Sequence, residues 1–186
     1  MTEILKQLHQ DHANFVRVLH ALGHQVHLVE CGQAPDHQIL RAIIAYFRGY
    51  PMRFHHPKED LLYNTYKDRA SSETRTAYNL IAAHGTLEER IGRLENAVLS
   101  LEKNEADAVR IFHDEVAAFI KYERDHMIDE ETHFFPQALA CFKKEDWTYV
   151  DGPFLDDADP LFGKQVTEPF TRLYRLIVAS DGHQKS

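Results

Sequence analysis

The chain has 186 residues, 44% of them apolar, and carries a net charge of −8 from 21 Lys and Arg against 29 Asp and Glu. This suits one domain with an appendage and excludes wholesale disorder; the acidic balance speaks against nonspecific binding to nucleic acid or to an anionic membrane. No apolar run approaches the roughly eighteen residues of a spanning helix, so no membrane partner is expected.

The N-terminus lacks an apolar signal core, and Cys31 and Cys141 lie far apart with no C-x-x-C, so a cytoplasmic protein with reduced thiols is expected. A first helix is predicted from the N-cap Thr2 to Glu30, with Leu5, Leu8, His12, Phe15, Leu19, Leu22 and Val26 on one stripe. It breaks at Cys31-Gly32-Gln33-Ala34-Pro35, and Asp36 is the next N-cap. The second helix, Asp36 to Tyr66, contains Pro51 and Pro57, and is expected to bend rather than break. The third is predicted from Glu73 to Lys103, with Ala77, Leu80, His84, Leu87, Ile91, Leu94 and Val98 buried. Asn104 is a break, and the fourth runs from Glu105 to Lys143. From Glu145 the composition changes. Trp147 to Pro160 reads as a loop rich in Asp, Pro and Gly, and Phe162, Val166, Phe170, Leu173 and Ile177 form a fifth apolar stripe that packs on the bundle or on a second copy. Asp181 to Ser186 is expected to fray. Asp157-x-Asp159 lacks the Gly and terminal Glu of a calcium loop, so calcium is not expected.

Thirteen histidines are the unusual feature of the composition. His55-His56-Pro57-Lys58-Glu59-Asp60 and His126-Met127-Ile128-Asp129-Glu130-Glu131 share the pattern His-x-x-x-Glu followed by an acid, 71 residues apart. His12 and His84 are 72 apart, so the chain reads as two helical hairpins of one layout. In antiparallel hairpins these positions fall at one height, to about one helical turn. His and Glu at i, i+4 share a helix face. Six groups therefore converge in the core: His12, His55, Glu59, His84, His126 and Glu130. A lone histidine on an apolar stripe is ordinarily a hydrogen-bonded core residue; four imidazoles and two carboxylates at one level are costly unless paired or metal-bound. The set suits two metal ions bridged by the carboxylates. Nitrogen and oxygen donors without thiolate favour non-haem Fe, with Mn or Zn as substitutes.

At these residues the chain resembles the hemerythrin family in its HHE cation-binding form, over roughly residues 1–143. The resemblance rests on His12, on the 55–60 motif, on His84 and on His126-x-x-x-Glu130-Glu131. It implies an all-α, up-down-up-down four-helix bundle (residues 1–144) around a centre of two Fe ions. Residues 145–186 lie outside the resemblance; their loop and amphipathic helix are expected to pack on the bundle or on the partner of a homodimer. The resemblance also implies a small ligand such as O2 or NO. Two positions depart from the O2-carrying pattern. A fifth histidine, one turn after the third-helix one, is replaced by Glu88, and the last carboxylate would fall at Glu131; both are reserve ligands. This shifts the expectation from simple O2 carriage toward sensing, storage or oxidase-like chemistry.

The main expectation is a di-iron protein that binds or senses O2, NO or iron. The alternatives are an oxidase or peroxidase using the same centre, and a metal-stabilised or metal-free interaction bundle. Ferritin-like Glu-x-x-His motifs would need two helices, whereas Glu123-x-x-His126 and Glu130-x-x-His133 share one. His133 falls near the ligand face and His113 on the solvent side. His9, His20, His24, His37 and His183 read as surface residues, and Tyr63 and Tyr122 as core aromatics within reach of ligands.

Overall fold

The computed structural model describes residues 2–70, 79–152 and 159–183. Among the described residues the regular structure is entirely helical. Helix α1 spans Glu3–Glu30 and follows Thr2 in extended backbone. Gly32, at φ +71°, takes the left-handed turn that closes it, a conformation that costs glycine little. Asp36 caps α2 (His37–Tyr50) by accepting from the backbone N–H of Gln38 and Ile39.

The second predicted helix is continuous, but it changes winding. After α2 the chain makes a π-helical turn, Pro51–His55, then resumes as α3 (His56–Arg69). The cause is Pro57. It has no N–H to offer the Arg53 carbonyl, and the His56 N–H bonds instead to the carbonyl of Pro51, five residues back. The fourth helix does the same. Helix α5 (Ala108–Asp129) passes through a π-turn, Glu130–Phe134, into α6 (Phe135–Cys141); Pro136 cannot donate to Thr132, and the Phe135 N–H reaches Glu130. Both π-turns lie at the height of the predicted ligands.

Helix α4 runs Leu80–Glu102, capped by the Asn79 side chain on the Ala82 N–H. The start is thus Leu80 rather than Glu73, because Asn79 is in extended backbone; positions 73–78 lie outside the described residues. Asn104 breaks the helix as expected, with φ +53°, and Asp107 at φ +62° delays α5 to Ala108.

Among the described residues the core has two apolar clusters. One holds Leu5, Leu8, Leu62, Tyr66, Leu80, Phe134 and Phe135. The larger holds Phe15, Leu22, Phe47, Tyr50, Leu87, Leu94, Phe112 and Phe119. Along α1 the chain passes from the first cluster to the second; along α2–α3 it passes back; α4 and α5–α6 repeat the alternation. Each crossing goes through the same polar layer, which contains His12, His55, Glu59, His84, His126 and Glu130. No helix among the described residues is long and apolar enough to cross a membrane.

The C-terminal segment differs from expectation in two places. Trp147 belongs to a helix, α7 (Lys144–Asp151), not to a loop. Asp146 caps its start and takes two bonds from Arg69, while Asp151 accepts from the Ile4 N–H, so α7 is fastened to α3 and to the start of α1. Helix α8 (Thr171–His183) continues through Asp181, which the Arg17 guanidinium holds at 2.7 Å, so that residue does not fray. Residues 184–186 and Asp157 lie outside the described residues. The fifth stripe buries Phe170, Leu173 and Ile177 in the larger cluster against α1 and α2, each apolar side chain contributing about 1.5–3 kcal/mol. Asp159 serves as an internal anchor. Its carboxylate accepts from the Tyr46 hydroxyl at 2.8 Å and from the N–H groups of Leu161 and Phe162. Gly163 is required beside it, since a Cβ there would lie 2.4 Å from the Asp159 carbonyl oxygen.

Candidate metal centre

Four helical rods supply the polar layer, and all six predicted residues are buried in it: His12 from α1, His55 and Glu59 from the α2–α3 rod, His84 from α4, and His126 and Glu130 from the α5–α6 rod. Glu59 lies at the middle. Its Oε1 is 3.4 Å from His12 Nε2 and 3.2 Å from His55 Nε2, and its Oε2 is 3.3 Å from His84 Nε2. Glu130 spans the same space from the opposite rod, 3.5 Å from His12 Nε2, 3.3 Å from His126 Nε2 and 3.8 Å from His84 Nε2. Two groups of donors have ligand atoms within 4.8 Å of one another: His12, His55 and Glu59, and His56, Glu59, His84 and His126. Glu59 belongs to both.

Three of the imidazoles are held from behind by carboxylates. His12 Nδ1 is 2.8 Å from Glu131, His55 Nδ1 3.1 Å from Asp11, and His84 Nδ1 3.0 Å from Asp60. A carboxylate accepts, so Nδ1 keeps a proton, and Nε2 is the atom turned to the centre, where its lone pair serves a metal once its own proton is displaced. Asp11 also accepts from the Tyr50 hydroxyl at 3.1 Å. The inward atoms, by contrast, are buried and meet only one another: His12 Nε2 and His84 Nε2 stand 3.3–3.8 Å from oxygens of Glu59 and Glu130, without a well-formed hydrogen bond. Burying so many unsatisfied polar atoms is costly. A cation at this point would satisfy them all, which is the test that the donor set passes.

Electrostatics in the metal-free protein match that geometry. Burial opposes charge on His12 and His84, but the carboxylates behind them, Glu131 and Asp60, and those before them, Glu59 and Glu130, outweigh it and push them up to about 10 and about 11. Burial also disfavours ionised Glu59, yet His55, His12 and His84 hold its carboxyl well below the usual range. Glu130 is pushed up by burial and by the charge on Glu59. His126 is lowered to about 3 by burial. Glu123, one turn before His126, is fully buried, and burial raises it to about 7.

The two reserve residues do not point inward. Glu88 is exposed, and Glu131, about 39% exposed, holds the outer nitrogen of His12. His133 is 65% exposed and pairs with Asp129. The π-turn explains this: counting 100° per residue fails once the winding widens after Glu130. Tyr63 packs edge-on against Phe134, and Tyr122 lies under the Arg90 guanidinium, so both serve packing. His9 is partly buried on Phe135 rather than free on the surface. Sequence reasoning missed His56, Asp11 and Asp60. The signal for the last two was adjacency, since each orienting acid neighbours a ligand in the chain, as Glu131 does. His56 falls 100° off the helix stripe, and only the packing of α4 brings it in. A groove of about 560 Å³ between α1 and α5, lined by His9, His12, Ala13, Val16, Met127 and Glu131, reaches this layer from outside.

The family model described as Hemerythrin HHE cation binding domain matches residues 1–138. No match was found among curated proteins or solved structures.

Proposed function

The chain belongs to the hemerythrin HHE cation-binding family, and from that premise we propose that it is a non-haem di-iron protein that binds or senses a small ligand such as O2 or NO. The observation that carries this is the sharing of Glu59 by two donor groups, with Glu130 spanning both. Such an arrangement suits two ions a carboxylate apart, held by His12, His55, Glu59, His84, His126 and Glu130. Imidazole and carboxylate donors without thiolate favour iron, with Mn or Zn as substitutes. When bound, iron would supply the redox chemistry and the affinity for a diatomic ligand.

The chain's own residues do the rest. Asp11, Asp60 and Glu131 fix the imidazole tautomers and aim Nε2 inward. Phe15 edge-on to His55 and Phe135 stacked on His12 keep bulk water from the layer. The groove beside His12 offers a small molecule a way in. Two further parts of the proposal concern architecture and place. The alternating passage of successive rods between the two apolar clusters supports an up-down-up-down four-helix bundle. The free thiols of Cys31 and Cys141 suit a reducing compartment such as the cytoplasm.

The test is anaerobic loading with Fe(II), followed by metal analysis and the near-ultraviolet and visible spectrum before and after air. Two irons per chain, with charge-transfer bands appearing in air, are expected. A protein that takes up no iron, or zinc alone without optical change, would leave a structural metal site or an interaction bundle as the better account.

A further inference from the structure

His56 is 5% exposed, in the centre of the polar layer, and its Nδ1 is buried without a hydrogen-bond partner. Its ring stacks on His84, with centroids 4.0 Å apart and planes 10° from parallel, and meets His126 edge-on at 6.1 Å. One of its nitrogens falls within 4.8 Å of ligand atoms of Glu59, His84 and His126. His55, its chain neighbour, turns the other way: its ring lies 5.0 Å from that of His12, and its Nε2 faces Glu59. A buried imidazole nitrogen without a partner is costly unless something with positive charge sits before it. The stack on His84 accounts for the ring plane and leaves the nitrogen unexplained.

Resting on the di-metal assignment above, we propose that His56 is itself a metal ligand, through Nδ1, and that the adjacent histidines His55 and His56 serve different ions. One position then has His12 and His55; the other has His56, His84 and His126; Glu59 and Glu130 are shared. The centre is therefore asymmetric, with four protein donors on one side and five on the other. The four-donor side carries His12, which also lines the outer groove. An exogenous ligand thus meets the ion with more open coordination, while the five-donor ion is nearly closed by protein. His56 also differs from its neighbours in binding mode. His12, His55 and His84 spend Nδ1 on carboxylates and can offer only Nε2.

That difference gives a readout independent of activity. In Zn(II)-loaded protein with 15N-labelled histidine, side-chain correlation spectra should show one imidazole bound through Nδ1 beside those bound through Nε2. His56→Phe keeps a flat ring against His84 but has no lone pair. It should remove the Nδ1-bound signal and weaken the second zinc at least tenfold in chelator competition, with helical circular dichroism unchanged. His56→Gln, which keeps polarity without the imidazole, should lose the same signal. Wild-type protein that binds two zinc ions with no Nδ1-bound imidazole overturns the proposal, as does a His56→Phe variant that binds both ions undiminished. Wild-type protein that fails to bind two ions at all refutes the di-metal assignment beneath it instead.

Discussion

Replacing Asp11 by Asn should cost the metal centre more than the equivalent change at either of the other two orienting acids. The Asp11 carboxylate is 5% exposed and accepts two bonds, from His55 Nδ1 and from the Tyr50 hydroxyl, both at 3.1 Å. In Asp11→Asn the amide oxygen can accept from His55 Nδ1 only if its NH2 faces Tyr50, whose hydroxyl must then turn to accept, and the negative charge behind His55 is lost. Exchanging a charged pair for a rearranged neutral one should cost about 0.5–1.5 kcal/mol of folding stability. Loss of an orienting partner typically weakens metal binding about 10–100-fold, or roughly 1.4–2.7 kcal/mol. Glu131 and Asp60, at 39% and 36% exposure, hold one imidazole each where water can take over, so Glu131→Gln and Asp60→Asn should weaken binding only about threefold to tenfold. Chelator-competition titration with Co(II), with thermal unfolding of each metal-free variant, measures both quantities. An Asp11→Asn variant that binds Co(II) like the wild type, or a Glu131→Gln variant more damaged than it, would refute the account of how the imidazoles are held.

Metal uptake should be coupled to protons. His12 and His84 stand at about 10 and about 11 in the metal-free protein, above the ordinary 6.5. At neutral pH a metal must displace up to about two protons there, so affinity should rise with pH throughout the range from about 6 to 9, below both values; Zn(II) titration with a pH indicator in weak buffer checks it, and a flat profile contradicts it. The same raised values stabilise the metal-free fold fully below about pH 6.5 and are lost as pH rises through about 10 and 11, so the metal-free protein should weaken as alkalinity increases. Glu123, raised from 4.5 to about 7, binds its proton more tightly folded than unfolded, so its contribution declines from pH 4.5 to 7. Glu123→Gln should remove that decline and stabilise the metal-free protein at pH 7 by an amount on the order of 2–3 kcal/mol in urea unfolding. Leu173→Ala in α8 should cost about 2–5 kcal/mol, because Leu173 is fully buried against α1 and α2; a change below about 0.5 kcal/mol would show that α8 is not part of the folding core.

The six converging residues were legible in the primary structure because helix geometry is periodic. His-x-x-x-Glu at i, i+4 fixes a shared face within one helix, and the spacing repeat carries that face from one hairpin to the next. The cap at Asp36 and the break at Asn104 were legible for a similar reason: each depends on a side chain or backbone conformation local to its own turn. Contacts between rods were not. Whether Glu131 enters the centre or supports His12 from behind depends on how α1 meets the α5–α6 rod, and on a π-turn that shifts every later residue off the simple count. The prolines were visible, but their consequence for His133 follows only when the slipped hydrogen bonds are known. The apolar stripe after Phe162 was visible too, while its burial against α1 and α2 was decided by Asp159, which accepts from Tyr46 across the chain. Sequence alone determined which residue types recur at one height, because rise and turn per residue are set by the backbone. Tertiary structure alone decided which of them face one another, which acids stand behind which imidazoles, and that His56 joins them, because those are facts about the distance between helices.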